Sequence, residues 1–170
     1  MGSKRIGLAR VQALMEGLKR DLELNGSTFN GLGVKVKDVS AATTLTNGDS
    51  GSIINMGGSD YVIKLPQDPI TGCTFTFTHV SALGSDGAIH LDLYDGVHFF
   101  KGRVHDHESD SPSHVAFNGS SHDQLIFAAS AAAHDNLVTC TYVGSNIWLI
   151  TNSWSHDISD ISAGTSSSNA

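Results

Sequence analysis

With 170 residues, 18 of them Gly, and only 16% charged, the chain is long enough to bury a core of its own. Its composition suits a turn-rich β protein better than a helical one, in which Ala, Glu, Lys and Leu dominate. The formal net charge of −7 is unevenly spread: Lys4, Arg5, Arg10, Lys19 and Arg20 against Glu16, Asp21 and Glu23 make residues 1–23 net +2, leaving −9 for the remainder. An acidic body repels nucleic acid and anionic membrane, so neither is expected as a partner. No run of about 18 apolar residues is present, and the first residues lack the apolar core of a signal peptide, so a soluble protein not exported by its own signal is expected.

Residues 5–23 read as a helix, because Leu8, Val11, Met15, Leu18 and Leu22 recur at the three-then-four spacing that lines up one face. Asn25-Gly26 ends it. The same spacing fits two heptads of a coiled-coil seam, so the stripe has two uses open to it: packing on its own β body, or burial against another chain. The basic Arg5, Arg10 and Lys19 beside the stripe suit an acidic partner surface. Residues 1–24 are therefore a helical segment whose Arg5, Leu8, Arg10, Val11, Met15, Leu18, Lys19 and Leu22 are candidate partner-binding residues, facing either another protein's surface or a neighbouring subunit.

Residues 25–58, rich in Gly, Ser, Thr and Asn, read as an extended arm, with alternation at 34–39 and 43–46 that suits edge strands. From Asp60 to Asn152, short alternating runs are punctuated by Gly, Asp, Asn and Pro, the pattern of an all-β sandwich or barrel. Strands are expected at 52–55, 60–65, 73–80, 88–94, 97–104, 124–129, 136–143 and 146–152. About eight strands is the number in a jelly roll, so the expected fold is mainly β: a jelly-roll-like antiparallel β-sandwich over 59–153, preceded by the helix and arm and followed by a flexible Ser-rich tail over 154–170.

Parity assigns the core. Cys73, Phe75 and Phe77 share one strand face, as do Ile89, Leu91 and Leu93, and Leu125 with Phe127; these, with Trp148, are expected to be buried. In the last of these strands Ile147 and Leu149 oppose Trp148 and Ile150, so both faces are apolar and cover on both sides is expected. Gly144-Ser145-Asn146 marks 136–152 as a hairpin. Cys73 and Cys140 lie among apolar or β-branched neighbours and read as two free, buried thiols.

Motifs that carry chemistry are weak. Gly48-Asp49-Ser50-Gly51 matches the nucleophile context of trypsin-like proteases, but that family places its His and Asp before the Ser, and the first His here is His79. A Gly-rich turn before a strand accounts for it better. Nine histidines concentrate in the β body, most densely in His105-Asp106-His107-Glu108-Ser109-Asp110. His105 and His107 would project from one strand face and are weak metal candidates, against the plainer reading of a polar loop. Asp92 with Asp95, or Asp106, Glu108 and Asp110, lack the ligand spacing of a calcium-binding loop. No phosphate-cradling loop, Cys-x-x-Cys pair or nucleophile elbow occurs, and no catalytic residue, metal or cofactor is expected.

Two segments carry a resemblance. The opening Met-Gly-Ser-Lys-Arg-Ile-Gly-Leu-Ala-Arg-Val-Gln-Ala-Leu-Met-Glu-Gly-Leu-Lys-Arg resembles the start of small virion structural proteins of marine tailed phages, cyanophages included. So does the pattern Tyr61–Pro66, Gly72–Phe77 and Tyr142–Asn152, which closes on a turn into the final strand with Ile147 inserted before Trp148. The resemblance covers most of the chain. It implies a β-sandwich virion component, commonly trimeric, made in the host cytoplasm. Its implied place is the capsid surface, as a decoration (cement) protein bound to the major capsid protein and to its own copies; the alternative is a tail-fibre or receptor- or glycan-binding head domain.

Overall fold

Alternation becomes strand structure along much of the described body. The computed structural model describes residues 34–58, 60–79, 87–93, 96–106, 113–128, 136–155 and 161–165. Over these residues the chain forms β1 (Val36–Val39), β2 (Thr43–Thr44), β3 (Ser52–Met56), β4 (Tyr61–Lys64), β5 (Thr74–Thr78), β6 (Ile89–Asp92), β7 (Phe99–Asp106), β8 (His114–Asn118), β9 (Gln124–Phe127), β10 (Leu137–Tyr142), β11 (Ile147–Ser155) and β12 (Ile161–Gly164), with one 3-10 turn at Asn47–Asp49. The helix expected over 5–23, with all eight of its candidate partner-binding residues, lies outside the described residues, and so does His107.

The strands form two sheets, one of seven in the order β1-β3-β5-β10-β11-β7-β8 and one of five in the order β12-β9-β6-β4-β2. The two-sheet, mainly β architecture is the one expected. Its pairing is not the purely antiparallel one of the expected jelly roll: β1/β3, β3/β5, β2/β4, β4/β6 and β7/β11 are parallel, and only β5/β10, β10/β11, β7/β8, β6/β9 and β9/β12 are antiparallel.

The cause lies in the connections. From β1 to β7 each successive strand switches sheet, so every second strand returns to its own sheet running the same way as its predecessor. β1, β3 and β5 therefore stack in parallel in one sheet while β2, β4 and β6 do so in the other, as three coils of a short β-roll. A parallel pair needs a crossover, and here each crossover is a strand of the facing sheet instead of a helix. β9, β10 and β12 then add antiparallel pairs, and β11 joins β10 antiparallel to β7 parallel.

Residues read as a connecting arm supply β1 and β2 at sheet edges and β3 inside the larger sheet. Residues read as a tail supply the end of β11 and β12, whose Ile161 is buried opposite Phe127. β8 and β12 are strands that alternation does not predict, because each carries only one fully buried residue, Phe117 and Ile161, with Val115 and Ala163 partly buried against the core.

One apolar cluster fills the space between the sheets. Phe75, Phe77, Leu91, Leu125, Phe127 and Trp148 are all 0% exposed, as expected. Trp148 stacks on Phe75 with ring centroids 6.0 Å apart and lies 5.5 Å from Tyr142. Cys73 and Cys140 are free and buried; burial pushes both thiols up, at Cys73 against an opposing hydrogen bond with Ser50.

The hairpin of β10 and β11 turns at Gly144, Ser145 and Asn146, all at positive φ, and Val143 N–H donates to Ile147 C=O at 3.0 Å. Beyond it, Cys140 faces Ile150 while Thr139 faces Asn152, so Thr151 is an extra residue on β11. This bulge moves the inward positions from Trp148 and Ile150 to Ser155.

Candidate functional surface

The outer face of the larger sheet is built from threonines. In Thr74-Phe75-Thr76-Phe77-Thr78 the phenylalanines turn inward and the threonines outward, and in β10 the inward Val138, Cys140 and Tyr142 leave Leu137, Thr139 and Thr141 outward. Register sets Thr141 opposite Thr74 and Thr139 opposite Thr76. Their hydroxyl oxygens lie 2.9 and 3.1 Å apart, so the threonines satisfy one another across the strands. Aliphatic and aromatic side chains flank them: Ile53 beside Thr76, Leu149 beside Thr141, and Trp154 beside Leu137. Ile147, Leu149 and Trp154 are half-buried, so the cover expected over the outer side of β11 is partial within the described residues. Charge is confined to the margins, with Asp38 on β1 and Lys101 and Arg103 on β7.

The outer face of the smaller sheet differs. Lys64, Asp92 and Gln124 align in one row, and Val62, His90 and Ile126 in the next. Opposite charges set directly across strands suit a solvated face. Asp92, weighed above as a calcium ligand, stands in this row beside Lys64.

The Gly48–Gly51 tetrapeptide serves as a turn. Asp49 accepts hydrogen bonds from Thr46 N–H at 3.0 Å, Thr46 Oγ1 at 2.9 Å and Lys37 Nζ at 3.0 Å. Lys35 Nζ lies 3.6 Å away. Burial opposes the charged carboxylate, but these donors outweigh it and hold Asp49 at about 2, below its ordinary 3.8. Ser50 Oγ accepts from Thr74 N–H at 3.1 Å. Both side chains are thereby committed to tying β1 and the turn to β5.

A buried polar group joins three strand ends. Asn136 Nδ2 lies 3.1 Å from His79 Nε2, and Ser155 Oγ donates to Asn136 Oδ1 at 2.5 Å. All three residues are at most 1% exposed. Satisfied partners make such burial tolerable, and the group pins the ends of β5, β10 and β11. Sequence offers no signal for it, since the residues come together only through strand register.

His105 lies on β7 directly opposite His114 on β8. Among the described residues no group of three or more His, Cys, Asp or Glu side chains is placed to hold a metal ion, and no helix is long and apolar enough to cross a membrane. No family model matches the chain, and no curated protein matches it significantly.

Proposed function

We propose that this chain is a structural component of a phage virion, a capsid decoration (cement) protein that stabilises the head shell as a homotrimer. The supporting observation is the inequality of its two faces. The larger sheet turns outward a central band of mutually paired threonines and half-buried Ile147, Leu149 and Trp154, while on the smaller sheet the opposed charges Lys64 and Asp92 stand on the inner strands β4 and β6, beside the row Val62, His90 and Ile126. Hydroxyls already satisfied within the face lose little on leaving water, so that band suits contact with other copies, whereas burying the opposed charges Lys64 and Asp92 would cost more. Closed symmetric assembly is the ordinary way to cover such a face.

The basic segment 1–24 supplies the capsid contact in this reading. Its charge is opposite to that of the body, so it combines electrostatic steering with an apolar stripe, Leu8, Val11, Met15, Leu18 and Leu22. The virion context rests on the resemblance of the opening and strand-turn segments, and the chain has no catalytic role in it. Cosedimentation with shells of the major capsid protein tests the proposal, followed by electron microscopy of intact virions. Density for the chain on the head lattice is the expected result. Density at the tail tip overturns it in favour of a fibre-head protein.

A further inference from the structure

We propose that His105 and His114 form a two-imidazole site for a borderline divalent transition-metal ion of the Cu(II), Ni(II) and Zn(II) class. The two residues are directly opposed across the antiparallel pair β7/β8. Val104 and Phe117 point into the core, so alternation sends both histidines to the outer face, where both are exposed. Their ring centroids are 6.2 Å apart with planes inclined at 43°.

Opposed residues in an antiparallel pair have Cβ atoms about 4.5–5.5 Å apart, and a metal sits about 2.0–2.1 Å from each imidazole nitrogen. Two rings rooted at that separation converge on one ion by rotation about their own side-chain bonds, with no backbone movement. Neutral imidazole suits Cu, Ni and Zn, whereas calcium and magnesium prefer oxygen. The strands fix the pair in advance, so binding costs little ordering. With two protein ligands, the remaining coordination positions face solvent. Alternation along one strand pairs His105 with His107; register across strands supplies His114 instead. Trp154, the register neighbour of His105 on β11, places an indole within reach of quenching by a bound Cu(II) ion.

The test is titration of the full-length chain with Cu(II) at neutral pH, followed by electron paramagnetic resonance and tryptophan fluorescence. The expected result is one ion per chain with two nitrogen ligands and a quenched emission. His114→Gln and His105→Gln should each weaken binding by at least about tenfold, the lower bound for losing even an outer-shell partner. Both positions are exposed, so the variants should keep the wild-type circular dichroism spectrum, and His107→Gln serves as the control. Weakened binding in His107→Gln together with weakened binding in His114→Gln supports the pair and adds a third ligand. Wild-type binding by His114→Gln overturns the proposal, whatever His107→Gln does.

Discussion

Thr76 and Thr139 stand opposite one another on β5 and β10 with hydroxyl oxygens 3.1 Å apart, and the pair sits at the centre of the outer face of the larger sheet. Such a cross-strand pair contributes about 0.2–1 kcal/mol to the fold, so its greater consequence is the hydroxyl-satisfied surface it makes. Thr139→Arg is expected to abolish self-association seen by sedimentation velocity while leaving the melting temperature almost unchanged. A variant that assembles as the parent does would remove this face from the proposed trimer contact.

Phe77 is wholly buried in the core cluster and stands beside Val138 of β10 in the register. Phe77→Ala should cost about 3–5 kcal/mol in chemical denaturation, because removing the ring takes apolar area out of the core and leaves a cavity behind. A cost below about 1 kcal/mol would mean the core is not packed around it.

Asp49 ties stability to acidity. Its folded value, about 2, lies below the ordinary 3.8, so its contribution is complete above the ordinary value and is lost as pH falls through about 2. Because the side chain is only partly shielded, the contribution is on the order of 1 kcal/mol. Asp49→Asn should be less stable than the parent at pH 7, and the difference should close between about pH 4 and pH 2. A gap that stays constant down to pH 2 would assign the effect to packing instead of charge.

Gly102 has φ +140°, and a Cβ there would lie 2.8 Å from the carbonyl oxygen of Ile150 and 2.9 Å from its Cβ. Both atoms are placed by the backbone, so the strands β7 and β11 cannot make room cheaply. Gly102→Ala should destabilise the fold by about 1–3 kcal/mol, read as a lowered melting temperature.

Deleting residues 1–24 should leave the melting of the β body intact and eliminate cosedimentation with capsid shells. A truncated chain that stays folded and binds as well as the parent would refute the anchor role. Loss of folding would place the stripe on the body itself.

Much of this was legible in the residues themselves. The inward faces of β5, β6 and β9 follow from period-2 alternation alone, because pleating sends neighbouring side chains to opposite sides whatever the strand pairs with, whereas in β11, apolar on both faces, alternation does not choose the inward side. That independence is also why alternation is silent on the partners. It does not distinguish a jelly roll from a roll of parallel coils, nor show that β1, β3 and β5 lie side by side. β8 and β12 escape notice because one fully buried residue apiece leaves almost no periodic signal. Thr76 beside Thr139, His105 beside His114, and the group of His79, Asn136 and Ser155 are products of register, which is set by contacts between segments far apart in the chain. In the regular strands β5, β6 and β9 the sequence determined which residues face inward, and only the tertiary structure decided which of them meet.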